Sequence, residues 1–300
     1  MKIYITGGGG YVGTACAALF QEKGHQVSCF DRKPFDEWLN PSTNDRVCDV
    51  STNLFGSYLH EGKPDVVLHL AAQTSPTTVA TGYTANVVCA AEVMEHAHAA
   101  GVPRMVFASS AAVYPELSQP VTEDTGTAPI TRYGRTKAVA ENVLTKMAHE
   151  LGISFMPLRY FNVCGGAFVP PQGTTIVPAA VRAALTGRPL SVFGRHHVRD
   201  FIHIHNVAEA TLAACDSRWQ GPVNVGTGKA TTVEEVIRTV ERLTDSPVQF
   251  SDNAPGVQLS YSVADVTRFQ RTLAKGMELL SLENAIENTI LSMKRGVVRE

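Results

Sequence analysis

Apolar and polar positions in the first half of the chain follow two alternating rhythms. Short β-branched runs at Lys2–Thr6, Gln26–Phe30, Val66–Leu70, Arg104–Ala108 and Ser154–Leu158 read as strands. Between them, helical spacing covers Tyr11–Lys23, the stretch near Thr84–Ala100 and the stretch near Arg132–Leu151. The strand runs are continuously apolar, as expected where both faces of a sheet are covered. Strands alternating with helices imply right-handed crossovers and a mostly parallel sheet, so the predicted class is α/β with a doubly wound parallel sheet. Beyond about Gly165 the rhythm loosens around Gly165-Gly166, Pro170-Pro171 and Gly187-Arg188-Pro189. That region is predicted to fold as a smaller α/β domain over the sheet's carboxyl edge. Its helices stand at about Ile176–Leu185, Asn206–Asp216 and Val233–Thr244. The predicted division is 1–165 and 166–300, with the second part partly interleaved with the first.

Composition narrows the function classes. At 300 residues, 44% hydrophobic and 18% charged, the chain is long enough to bury a full core and ordinary for a globular protein. A formal charge of -2 without a basic run argues against nucleic-acid and anionic-membrane partners. Apolar stretches are strand-length, and no signal-peptide pattern precedes Lys2, so a cytoplasmic protein is expected. The six cysteines (16, 29, 48, 89, 164, 215) show no paired or metal-ligand spacing and read as reduced thiols, with no metal site expected.

Gly7, Gly10 and Gly13 in Thr6-Gly7-Gly8-Gly9-Gly10-Tyr11-Val12-Gly13 follow the first strand and open the first helix. Residues without Cβ let backbone N–H groups and a helix N-terminus approach a pyrophosphate, so the first domain is predicted to be a Rossmann-type dinucleotide-binding domain. Asp31 ends the second strand, where a carboxylate accepts from a ribose diol and repels a 2′-phosphate, which favours NAD over NADP. Arg32 and Lys33 follow, either holding such a phosphate or forming a solvated turn. In Cys48-Asp49-Val50, Asp49 can accept from the adenine amino group or cap a helix.

Tyr133 and Lys137 stand at i and i+4 on one predicted helix face. A nearby ammonium and a nicotinamide cation favour the phenolate and are expected to lower the phenol's pKa. Ser109-Ser110 ends the strand upstream, and a hydroxyl beside the phenol can donate to a substrate oxygen whose proton is being taken. Base, ammonium and hydroxyl thus gather at the carboxyl edge of an open α/β sheet, where ligands bind.

These residues resemble the extended short-chain dehydrogenase/reductase family, and within it nucleotide-sugar 4-epimerases of the UDP-galactose 4-epimerase type. The resemblance runs from Lys2 to about Leu282. It rests on TGGGGYVG (6–13), Asp31, CDV (48–50), HLAA (69–72), Asn86, SSAAVY (109–114), YGRTK (133–137), LRYFNVCG (158–165), VRDFIHI (198–204) and NVGTG (224–228). It implies Tyr133 as base, Lys137 on the nicotinamide ribose and Ser110 on the sugar hydroxyl. Cofactor contacts are implied at Gly7, Gly10, Tyr11, Val12, Gly13, Asp31, Arg32, Asp49, Val50, Leu70, Ala71, Ala72, Asn86, Tyr133, Lys137 and Tyr160. Substrate contacts are implied at Ser110, Asn162, Phe193 and Arg199. From the residues alone, Arg199-Asp200 could equally be an ion pair ending a strand, and Phe193 a core residue of an edge strand. The implied partners are a UDP- or dTDP-hexose and a second copy of the chain, through helices near 84–100 and 132–151.

Departures sharpen the reading. Ala254 and Val257 stand where the epimerases usually carry an Arg and an Asp gripping diphosphate and ribose. Pro115 follows Val-Tyr in place of Gly, and His205-Asn206 replaces an Asp pair. Ala111 and Ala112 occupy positions where related dehydratases carry acids and related epimerase-reductases a Cys. The expected activity is therefore NAD-dependent 4-epimerisation of a nucleotide-sugar through a transient 4-keto intermediate. The alternatives are a 4-ketosugar reductase or sugar dehydrogenase with exchangeable cofactor, or a non-catalytic NAD-sensing regulator, against which the intact Ser110, Tyr133 and Lys137 speak.

Overall fold

The computed structural model describes residues 1–34, 45–75, 77–166, 175–253 and 259–295. The first half runs β1 (Lys2–Thr6), α1 (Tyr11–Glu22), β2 (Gln26–Asp31), β3 (Arg46–Val47), α2 (Asn53–Gly62), β4 (Val66–His69), α3 (Val79–Tyr83), α4 (Cys89–Ala99), β5 (Arg104–Ser110), α5 (Arg132–Leu151) and β6 (Ser154–Tyr160). The second half continues with β7 (Asn162–Cys164), α6 (Ile176–Thr186), β8 (Leu190–Phe193), β9 (Val198–Arg199), β10 (Phe201–His203), α7 (Ile204–Asp216), β11 (Val223–Val225), β12 (Thr231–Thr232), α8 (Val233–Thr244), β13 (Phe250–Asn253), β14 (Tyr261–Ser262), α9 (Thr267–Thr272) and α10 (Leu282–Lys294).

Seven of these strands form one sheet in the order β11-β6-β5-β4-β1-β2-β3, every pair parallel. The order reverses between β1 and β4, and such switch points leave a crevice at the strands' carboxyl ends. Each face carries its own core. On one, Cys16, Ala17, Leu19 and Phe20 of α1 and Val207, Ala208 and Ala210 of α7 cover Ile3, Ile5 and Leu158. On the other, Phe55 and Leu59 of α2, Val93 and Met94 of α4 and Ala140 and Leu144 of α5 cover Val67, Met105 and Phe107. A third cluster joins α6, α8 and α10 through Val181, Val236, Ile237 and Ile286. The second half also contributes to the first sheet, because β11 pairs with β6 along Val223↔Leu158.

The predicted strands and helices form close to their expected places, with three informative differences. β5 and β6 run two residues further than predicted, to Ser110 and Tyr160, because their pairing continues through Ser110↔Tyr160. Helical structure near Thr84–Ala100 begins earlier, at Val79, where Thr78 and Thr81 form a reciprocal cap. It also contains a wider π turn over Thr84–Val88, a distortion frequent at functional sites.

His69 ends β4 fully buried. Its Nδ1 shares a hydrogen bond of 2.7 Å with Thr6 Oγ1, and its ring stacks on Phe107 at 5.9 Å. Burial first, and then the charge of Lys137, push its pKa down to about 3. The folded chain therefore refuses a proton that the unfolded chain accepts near pH 6.5. The stabilisation is complete above pH 6.5 and drains away as the pH falls towards 3, by about 1.4 kcal/mol per pH unit. His203, pushed down to about 4 by burial, acts in the same direction. Urea unfolding between pH 7 and pH 5 is expected to show this loss, and His69→Gln to flatten the slope by about one proton. An unchanged slope in that variant counts against a neutral, buried His69.

Candidate active site

The turn between β1 and α1 is built by close approach. Gly7 takes φ +72°, and a Cβ there would lie 2.7 Å from Ala71 N. A Cβ on Gly13 would lie 2.2 Å from Gly7 O. Only residues without side chains allow this packing, which presents the first turn of α1 to the crevice. Gly10 caps that helix without a side-chain hydrogen bond, so its opening N–H groups remain available to an anion. Beside the turn, Asp31 accepts from Gly9 N–H at 3.2 Å and from Lys33 N–H at 3.2 Å, which fixes the carboxylate at the end of β2.

A cavity of about 610 Å³ opens from this turn, and Gly7, Gly10, Asp31, Arg32, Asp49, Val50, Leu70, Ala71 and Ala72 line it. An anion-ready helix terminus, a ribose-facing carboxylate and a slot walled by Phe30, Val50 and Leu70 fit NAD. Asp49 does not cap α2. Thr52 is the cap residue, and Asp49 instead accepts from Ser51 N and Ser51 Oγ, which hold its carboxyl below the usual range. The sequence reading missed Gln73, Thr81, Thr84, Ala85, Cys89 and Glu92 in the same wall. The signal was present in part, since Ala85, Cys89 and Glu92 share one helical face at i, i+4 and i+7.

Ser110, Tyr133 and Lys137, the predicted catalytic residues, lie where β5 meets α5. Ser110 Oγ accepts from Ala112 N–H at 3.1 Å, which leaves its own O–H to donate outward. Thr131 caps α5 by accepting from Gly134 N–H at 3.0 Å. A Cβ on Gly134 would stand 2.0 Å from Ala112 O, so glycine here lets the helix press against the turn after Ser110. Tyr133 is half-buried at the start of that helix and Lys137 is buried one turn on. Lys137 Nζ donates to Ala108 O at 2.6 Å, 4.5 Å from the Phe107 ring centre and 5.9 Å from that of Tyr133.

The expected lowering of the phenol's pKa is not supplied by the polypeptide. Burial pushes Tyr133 upward. It also pulls Lys137 down to about 7, against the opposing charge of Glu141. Desolvation outweighs the pairing because the ammonium is turned to a carbonyl and a ring face rather than to the phenol oxygen.

Two implied cofactor residues do other work. Asn86 is buried, and its amide spans three partners. It accepts from Gln73 N at 2.7 Å and donates to Gln73 O and Thr136 Oγ1, each at 2.9 Å. Thr136 in turn donates to Tyr133 O at 2.8 Å, so Asn86 clamps the segment after β4 to the catalytic helix instead of lining the cavity. Tyr160 is turned into the core, its hydroxyl 2.8 Å from Thr211 Oγ1, and it does not line the cavity. The side chain at a given strand position alternates faces, and this one points towards α1 and α7. Val12 packs against the same core. Tyr11 reaches across the molecule to donate to Gly165 O at 2.5 Å.

A second cavity, of about 240 Å³, brings together Asn162, Phe193 and Arg199 with Thr175, Ser191 and Phe201. Phe193 is 52% exposed, which excludes the core reading. Arg199 does not pair with Asp200. It donates to Val198 O at 2.9 Å and Leu259 O at 2.5 Å, while buried Asp200 accepts from Thr227 N and Gly228 N at 2.8 Å and from Ala264 N at 3.2 Å. The Ala254 and Val257 positions lie outside the described residues. Glu116, beyond Pro115, accepts from Ser260 N at 2.9 Å and ties the loop after Ser110 to the residue that precedes β14.

These placements separate by mutation. Gly13→Ala is expected to weaken NAD binding at least tenfold, read by isothermal titration, because its Cβ meets Gly7 O. Tyr160→Phe is expected to leave NAD affinity unchanged and cost about 1 kcal/mol of stability, the typical value of one hydrogen bond. Weaker NAD binding by that variant would return Tyr160 to the cofactor.

Residues 3–226 match the NAD dependent epimerase/dehydratase family. The UDP-glucose 4-epimerase of Corynebacterium glutamicum is 31% identical over 269 residues, covering 83% of this chain and 82% of that protein. The UDP-glucose 4-epimerase of Thermus thermophilus in complex with NAD superposes with a TM-score of 0.88 at 25% identity, over 98% of this chain and 99% of that one. The Stenotrophomonas maltophila UDP-glucose 4-epimerase with bound NAD and formylated UDP-arabinopyranose gives 0.90 at 27% identity, over 99% of both. With the glycine turn, Asp31 and the Tyr133–Lys137 row in place, the chain belongs to the NAD-dependent epimerase/dehydratase family.

Proposed function

We propose that this protein interconverts the C4 epimers of a UDP-linked hexose by transient oxidation at that carbon. The observation that carries the reading is the pairing of Tyr133 and Lys137 with the outward O–H of Ser110, beside Ala111 and Ala112, which bring no acid or thiol for any further step. Relatives named as UDP-glucose 4-epimerases support the substrate class. NAD⁺, when bound, supplies a reversible hydride acceptor and a cationic ring. Tyr133 takes the proton of the sugar 4-hydroxyl. Ser110 donates to that oxygen and keeps it aligned with the phenol. Lys137 would hold the cofactor's ribose, and the positive charge of the bound nicotinamide would favour the phenolate that burial disfavours. The 4-keto sugar turns in the pocket, and Tyr133 returns the proton on reduction of its other face. Arg199, Asn162 and Phe193 grip diphosphate and base in the second cavity.

A homodimer through α4 and α5 belongs to the same reading, with Val88 and Val139 exposed on that face. So does a cytoplasmic location, consistent with six free cysteines. Among the described residues no helix is long and apolar enough to cross a membrane.

The purified protein is expected to carry bound NAD and to epimerise UDP-hexoses faster than dTDP-hexoses, without added cofactor. Net reduction that depends on added NAD(P)H would instead make it a ketosugar reductase. Tyr133→Phe is expected to lose at least a hundredfold in kcat while retaining NAD, in the range typical of general acid–base groups. Full activity of that variant would remove Tyr133 as the base.

A further inference from the structure

α5 carries Tyr133, Lys137 and Glu141 four residues apart, in one row. The row faces the carboxyl end of β5, and its last two members hold successive residues of that strand. Lys137 Nζ donates to Ala108 O at 2.6 Å, and Glu141 Oε1 accepts from Ser109 Oγ. Ser110 comes next. Glu141 is itself 6% exposed and pinned from β6, where Arg159 donates to it three times, at 2.7, 3.1 and 3.2 Å. Arg159 also donates to Tyr114 Oη at 2.9 Å and Glu123 O at 3.1 Å, so the loop after Ser110 hangs from the same pair. Burying a carboxylate is costly unless it is paired and hydrogen-bonded, and Arg159 and Ser109 supply both here.

We infer that Glu141 is a positioning residue for the epimerisation, which keeps Lys137 cationic and sets Ser110 opposite Tyr133. The inference rests on the reading of Tyr133 and Lys137 given above. The groups facing the ammonium are Tyr133 and Glu141 from its own helix, His69 from β4, and Arg159 from β6 behind Glu141. His69 is neutral through most of the accessible pH range, since burial holds it near 3. Glu141 is therefore the anion that opposes burial at Lys137, whose pKa stands at about 7. Its removal would also leave the buried Arg159 cation without its carboxylate. Without a carboxylate at 141 the ammonium gives up its proton at lower pH. The window in which Lys137 is cationic therefore closes at lower pH.

The test is the pH dependence of kcat for the NAD-loaded enzyme. E141Q is expected to lower kcat about tenfold and move the alkaline limb down by about one unit, with KM within twofold. Ser109→Ala, which cuts the tie to β5 and leaves the charge, is expected to lower kcat without moving that limb. E141D is expected to restore the window. Should E141Q fail to fold, E141Q/R159M removes the orphaned cation and still lacks the carboxylate, so the window narrows in it as well. An unaltered window in E141Q or in the double variant overturns the inference, even where kcat falls uniformly. Full activity of Tyr133→Phe would instead overturn the catalytic reading itself.

Discussion

An ammonium buried against a sheet constrains everything around it. Taking Lys137 out of water carries an effective penalty of several kcal/mol. The structure offsets this with the carbonyl of Ala108, the face of Phe107 and the row-mate Glu141. Those compensations work only if α5 lies flush on β5. Gly134 removes the side chain that would hold the helix off Ala112, and Asn86 bolts the segment after β4 to the same helix through Thr136. The catalytic geometry is thus a by-product of satisfying one buried charge.

The two ligand sides solve recognition differently. Around the glycine turn the work falls to backbone, with glycines giving access and one carboxylate, Asp31, fixed beside them by Gly9 N–H. On the substrate side a buried carboxylate organises the backbone instead. Asp200 gathers the amides of Thr227, Gly228 and Ala264, which fixes the strand bearing Arg199. Arg199 itself is held by carbonyls, and among the described residues no carboxylate forms a salt bridge with it.

Much of this was legible in the residue pattern. Continuous apolar strands, helical spacing and the glycine turn announced a doubly wound sheet, and Tyr133, Lys137 and Ser110 fell at its carboxyl edge. What escaped depends on three-dimensional direction. Tyr160 sits in a motif that points to the cofactor, yet strand alternation turns its ring to Thr211. The upward shift of Tyr133 required knowing where Lys137 Nζ ends up, which spacing alone does not give. Glu92 and Cys89 joined the cofactor wall only once a π turn had set the rotation of α4. Glu141 and Arg159 are eighteen positions apart, and nothing local links them.

The pairing of β11 with β6 has a temporal side. Residues 223–225 complete a sheet whose other six strands lie before residue 161, and α7 covers α1 only after residue 204. During synthesis, a nascent chain that has delivered every cofactor-contacting residue still shows an open strand edge at β6 and a bare apolar helix face. Such edges invite pairing with other chains. The first sheet therefore reaches its finished form late, once residues 166–225 have followed its other six strands out of the ribosome.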